Sequence, residues 1–187
     1  MRITGGIYCS RQIKCPKGVI RPAMDRMRES MFSILGNLYG RSFLDLFSGS
    51  GIVGIEAASR GASPVCFVEM DRGKKKTLYE NVKIVEKAVT EIHIMPAERF
   101  IASTKETFDI VFLDPPFPLR KKKEIVELVT HKNILKENGL LMIHHPSEEK
   151  WEETIGNLVI EDRRKYGRSI LLFYRKTAEK LQAGEDQ

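Results

Sequence analysis

Between residues 42 and 176 short apolar runs alternate with stretches whose apolar positions recur every three to four residues. The runs predict strands near Ser42–Phe47, Val65–Met70, Ile92–Met95, Phe108–Leu113, Gly139–His145, Leu158–Arg163 and Ser169–Tyr174. Several are apolar without interruption, as expected of strands covered on both faces. Strands alternating with helices predict an α/β fold, a Rossmann-like, seven-stranded, mostly parallel sheet. The last two strands flank the turn-like Lys165-Tyr166-Gly167-Arg168 and predict an antiparallel hairpin that reverses one edge.

Residues 1–41 follow a different pattern and predict an N-terminal β-hairpin and helix extension. Short strands within residues 2–20 are broken by Gly5-Gly6, Ser10-Arg11 and Pro16-Lys17-Gly18. Met24, Met27, Met31, Ile34/Leu35 and Leu38 then recur at helical spacing, predicting an amphipathic helix over Pro22–Leu38 with its methionine stripe in the core. Residues 177–187 read as a polar tail.

With 187 residues, 42% hydrophobic and 30% charged, the chain suits one globular domain and excludes a largely disordered one. The longest apolar run, Ile170–Tyr174, is far short of a membrane span. Met1–Gly6 lacks a signal-peptide core, which predicts a cytoplasmic chain. Cys9, Cys15 and Cys66 form no disulfide framework or zinc ribbon, and His93, His131, His144 and His145 have no metal-ligand spacing, so no metal is expected. Charge is uneven. Residues 1–41 hold eight Lys/Arg against two acids, an excess equal to the +6 of the whole chain. That predicts a polyanionic partner, RNA first, with Arg2, Arg11, Arg21, Arg26 and Arg28 as candidate contacts. A solvated basic surface is the alternative.

The strongest local signal is Leu44-Asp45-Leu46-Phe47-Ser48-Gly49-Ser50-Gly51-Ile52-Val53-Gly54, in which Gly49, Gly51 and Gly54 match G-x-G-x-x-G between a strand and a helix. Glu69 closes the next strand, 20 residues after Gly49, where an acid can accept ribose hydroxyls. An adenosine-containing ligand follows. Asp45 opposes the pyrophosphate of a dinucleotide and favours the sulfonium and ammonium groups of S-adenosylmethionine; alternatively it only holds loop amides.

The fourth strand ends in Asp114-Pro115-Pro116-Phe117, at a carboxyl end that lines the crevice of an open α/β sheet. Two prolines remove backbone donors, leaving carbonyl oxygens and a carboxylate to accept from an amino group, while Phe117 offers a face for a base. Acceptors holding both hydrogens of an exocyclic amine favour a pyramidal nitrogen and aim its lone pair at a methyl sulfonium.

Asp114–Phe117 resembles motif IV of the S-adenosylmethionine-dependent amino methyltransferases of nucleobases. Arg2-Ile3-Thr4-Gly5-Gly6, Arg21-Pro22-Ala23 with Asp25-Arg26 and Arg28-Glu29, Phe32, Leu44–Gly54, Glu69-Met70-Asp71, Asn81 and Tyr166-Gly167 resemble the RsmD family of guanine-N2 methyltransferases. The resemblance implies transfer to N2 of a guanine in 16S rRNA, within the small ribosomal subunit or an assembly intermediate, by a monomer. It implies a methyltransferase domain over 42–176, with Asp114, Pro115 and Phe117 catalytic and with Asp45, Ser48, Gly49, Gly51, Glu69, Met70, Ala97 and Glu98 on the cofactor. Some positions depart from the family pattern. Pro96 stands where an Asp or Asn usually precedes the alanine, leaving adenine to the Ala97 amide or Glu98. Ala23 replaces a frequent Thr, and His144-His145 stands where an acid is common. Lys74-Lys75-Lys76 and Arg120-Lys121-Lys122-Lys123 read as solvated helix starts, the second also as a phosphate contact, and Trp151 as packing. The rival readings are an adenine-N6 methyltransferase, an NAD-dependent oxidoreductase and a non-catalytic RNA-binding assembly factor.

Overall fold

The apolar runs become one eight-stranded sheet in the computed structural model, which describes residues 1–15 and 22–178. The strands are β1 (Phe43–Leu46), β2 (Val65–Val68), β3 (Thr90–His93), β4 (Phe108–Leu113), β5 (Leu135–Pro146), β6 (Thr154–Ile155), β7 (Leu158–Tyr166) and β8 (Ser169–Lys176), in spatial order 3-2-1-4-5-8-7-6. The first five run parallel. The β7–β8 hairpin then turns back, and β8 inserts antiparallel between β5 and β7.

The expected count of seven strands becomes eight, because the two-residue β6 pairs with the start of β7. Two residues carry no readable period. The N-terminal hairpin is reduced to the single bridge Arg2–Gln12, flanked by Ile3 N–H donating to the Arg11 carbonyl at 3.1 Å and Ile13 N–H to that of Met1 at 2.8 Å. The first helix, α1 (Pro22–Leu35), stops short of Leu38 because Gly36 turns to φ 66°. Leu38 is buried all the same, beyond the helix, whereas Ile34 is 42% exposed.

Alternation along the strands splits the core in two. Phe43, Phe67, Phe112 and Met142 face α1, α2 (Ile52–Ser59) and α3 (Lys75–Val82). Leu44, Val68, Val111, Leu113 and Ile143 face α4 (Ala97–Ser103) and α5 (Lys122–His131). Ile3, Tyr8 and Ile13 pack into the first layer with Met27, Met31 and Phe32, so the N-terminal extension shares the sheet's core. No helix among the described residues is long and apolar enough to cross a membrane.

Candidate functional site

The parallel strands end along one edge, and the two central ones carry the chemistry. Asp45, one residue after Leu44, alternates toward α2 and is 1% exposed. Its Oδ2 accepts from the Gly54 N–H at 3.0 Å, tying the first turn of α2 back to β1. Between them the chain crosses left-handed φ values at Phe47 (69°), Gly49 (56°) and Gly51 (81°). Glycine is required here for two reasons. At Gly51 a φ of 81° would strain any other residue, and at Gly54 a Cβ would strike the Phe67 ring at 2.3 Å, so Gly54 lets α2 lie close on the sheet. Over Gly49 the space is open, the nearest atom to an added Cβ being the Phe47 carbonyl oxygen at 4.0 Å.

The loop is pinned from β2. Ser48 Oγ donates to the Asp45 carbonyl at 2.6 Å and accepts from the Val68 N–H at 3.0 Å, so this hydroxyl works as a strand clamp. Glu69 is 4% exposed; its Oε2 accepts from Gly49 N–H and its Oε1 from Asp71 N–H, each at 2.8 Å. Lys74 Nζ stands 3.5 Å from Glu69, so it does not project freely into solvent as its charge run suggested.

A cleft of about 770 Å³ opens above these strand ends. Its wall includes Phe47, Glu69, Met70, Asp114, Pro115, Phe117 and His144. Asp45 lies beneath it, and Ala97 and Glu98 open α4 after β3 without lining it. Burial pushes the Asp45 pKa well above the usual carboxylate range; the Gly54 N–H opposes this, and the charges of Asp114 and Glu69 add to it.

Asp114 is held by a residue that the sequence left unassigned. Leu113 pairs with Ile143, so the next residues, Asp114 and His144, emerge side by side on the same face, with His144 Nδ1 2.8 Å from Asp114 Oδ1. The ring of His144 meets that of Phe117 edge to face, centroids 5.3 Å apart. Strand alignment with alternation was the available signal. His145 alternates to the other face, where Nδ1–H donates to the Pro146 carbonyl at 2.7 Å and burial lowers its pKa. Trp151, partly buried, packs there between His145 and Tyr174, as expected.

Two expectations about charged residues are corrected. Arg28 is 3% exposed: it pairs with Asp25 at 2.9 Å, lies 3.6 Å from Glu56 and donates to the Arg2 carbonyl at 2.9 Å, so it cannot reach an external phosphate. Lys122 is also buried, not solvated, and its Nζ donates to the Phe117 carbonyl at 2.7 Å while pairing with Glu149, which anchors the proline turn to α5. Lys123 pairs with Glu152, leaving Arg120 and Lys121 as the exposed members of that run. Arg2 and Arg26 are exposed, and Arg11 lies over the Tyr8 ring and pairs with Glu86 at 3.4 Å. Arg21 lies outside the described residues. Across β2 and β3 the donor atoms of Cys66, Glu91 and His93 come within 4.8 Å of one another, a grouping that linear spacing did not announce.

The family described as "Conserved hypothetical protein 95" matches residues 1–175. Among curated proteins, "Putative rRNA methyltransferase YlbH" of Bacillus subtilis (strain 168) is 35% identical, covering 94% of this chain and 99% of that one. "Ribosomal RNA small subunit methyltransferase D" of Escherichia coli (strain K12) is 28% identical over 96% of this chain and 91% of its own length. Among solved structures, "Putative methyltransferase yhhF from Escherichia coli" superposes with a TM-score of 0.87 at 29% identity, covering 96% of this chain and 99% of that one.

Proposed function

The chain belongs to the conserved hypothetical protein 95 family, the RsmD-like methyltransferases, and on that premise we propose that it methylates the exocyclic N2 amino group of a guanine in the 16S rRNA of the small ribosomal subunit. The relatives' names support an rRNA substrate, and resemblance to the family supports guanine N2. The methyl group comes from S-adenosylmethionine, which supplies it as a sulfonium substituent.

The residues present fit that donor. Glu69 stands at the end of β2, where its carboxylate can accept ribose hydroxyls beside the open space over Gly49. Glu69 and Asp114 put two carboxylates on the wall of one cleft, with the buried Asp45 close enough to feel both charges, an environment that favours a bound cation. Asp45 already holds Gly54, so the carboxyl beneath the cleft is also the anchor of the loop.

Asp114 and the Pro115 carbonyl accept the two amino hydrogens, and Phe117 stacks on the base. Held in this way, the nitrogen directs its lone pair across the cleft rather than into the ring. Asp114 Oδ2 takes the proton that the nitrogen sheds as it gains the methyl. Lys122, by fixing the Phe117 carbonyl, keeps the turn in place through the step.

The observation that carries this reading is the opposition of Glu69 and the Asp114–Phe117 turn on the walls of one cleft. Its test is the identity of the product nucleoside. After incubation of the protein with labelled S-adenosylmethionine and unmethylated small subunits or their rRNA, digestion should release N2-methylguanosine. Recovery of N6-methyladenosine instead would assign the site to adenine, and no incorporation into either RNA form would refute the reading.

A further inference from the structure

Asp114 has two oxygens, and the proposed chemistry needs one of them aimed at the amine. A carboxylate at the end of an aspartate turns readily about its last bond. In this protein it is not left to turn: Oδ1 lies 2.8 Å from His144 Nδ1. An ionised carboxylate only accepts, so the hydrogen of this bond sits on Nδ1. The His144 side chain is 5% exposed against 21% for Asp114, which puts the donor behind the carboxylate and the carboxylate toward the cleft. The same ring packs edge to face on Phe117. One side chain thus touches both groups that are to hold the base.

We infer that His144 is the positioning residue of the transfer: its Nδ1–H fixes Asp114 Oδ1, which presents Oδ2 to the amino group, and its ring sets the plane of Phe117. The inference rests on the reading of Asp114 as the amine acceptor. A carboxylate in place of His144 could only accept, whereas the His144 ring donates to one oxygen of Asp114 and leaves the other to spare. His145 cannot substitute, since alternation sends it to the opposite layer, against Trp151.

The test is single-turnover methyl transfer to rRNA together with S-adenosylhomocysteine binding, for wild type, Asp114→Ala, His144→Phe, His144→Asn and His144→Gln. His144→Phe keeps a ring for Phe117 and loses the donor; its rate should fall by about tenfold or more, with product-cofactor affinity unchanged within about twofold. An asparagine amide reaches the place of Nδ1 and a glutamine amide the place of Nε2, so His144→Asn should recover most of the rate and His144→Gln should not. In the Asp114→Ala background, His144→Phe should add no further loss, because the two act as one unit. A wild-type rate in His144→Phe would overturn the inference, as would asparagine doing no better than glutamine, or additive losses in the double variant. Should His144→Phe fail to fold, the asparagine–glutamine pair still decides. A wild-type protein that methylates no rRNA would remove the functional reading and this inference with it, a result distinct from an active enzyme indifferent to His144.

Discussion

Two groups of buried charge lie at opposite ends of α2, and they are built on opposite principles. Near its C-terminal end Glu56, with no exposed surface, is saturated: Thr4 donates from its N–H at 2.9 Å and its hydroxyl at 2.7 Å, Arg60 stands at 3.1 Å, and Arg28 at 3.6 Å. At its N-terminal end Asp45, Glu69, Asp71 and Asp114 share one region with Arg72, Lys74 and the polar ring of His144. The first group closes on itself and joins the N-terminal segment to the sheet. The second carries surplus negative charge toward a cleft. Buried charge therefore signals function here through its imbalance, and burial alone does not distinguish the two.

The largest effect should come from unbalancing the closed group. Glu56→Gln leaves the buried guanidinium of Arg28 with Asp25 as its one remaining carboxylate and Arg60 without its partner, at a cost of about 3–5 kcal/mol of folding stability. Chemical denaturation should show it as a lower midpoint at unchanged slope, and a midpoint within error of wild type would show that Asp25 alone suffices for Arg28.

Relieving the open group should do the reverse. Burial raises the folded pKa of Asp45, so its contribution to stability is fully present below the ordinary carboxylate range and is lost as pH rises through the raised value. At neutral pH, Asp45→Asn should leave the thermal midpoint unchanged or higher while weakening S-adenosylmethionine by about tenfold, or about 1.4 kcal/mol. Wild-type affinity should fall as acid protonates Asp45, and the variant should show a flatter dependence in a calorimetric pH series. Equal pH dependence in the two proteins would return Asp45 to the role of loop anchor alone.

The smallest effect belongs to the solvent-facing arginines. Replacing Arg2, Arg11 and Arg26 with Glu should flatten the log–log salt dependence of rRNA binding by about three units at most and leave the cofactor affinity and fold intact. Arg28→Ala, by contrast, should lower stability and leave the salt slope unchanged. An unchanged slope in the triple variant would make the basic extension a solvated surface only.

Legibility followed range of interaction. Phe108–Leu113 is apolar almost throughout, and the strand has those bounds. The longer β5 begins at Leu135, ahead of the polar Lys136-Glu137-Asn138-Gly139, because Leu135 pairs with Phe108 on β4 across a register shift that composition does not show. The glycine loop, Glu69 and the Asp114–Phe117 turn were readable because backbone geometry dictates their residue types locally. Arg28 was misread because one of its two carboxylate neighbours, Glu56, lies 28 positions away on another helix; a lone acid in the apolar stretch Ile52–Ser59 was the available clue. His144 was missed for a related reason: its meaning arises only when β4 and β5 are aligned.

The late placement of β8 also bears on how the chain is made. A ribosome delivers β5 well before the strand that will lie beside it, since His145 pairs with Ile170. At roughly 5–20 residues per second the intervening stretch takes about 1–5 s to synthesise. For that interval the run Leu140–His145 has a bare flank with unpaired amides and carbonyls, open to any passing strand. The nascent polypeptide can complete this sheet only once β8 has emerged, so both of its halves share one deadline.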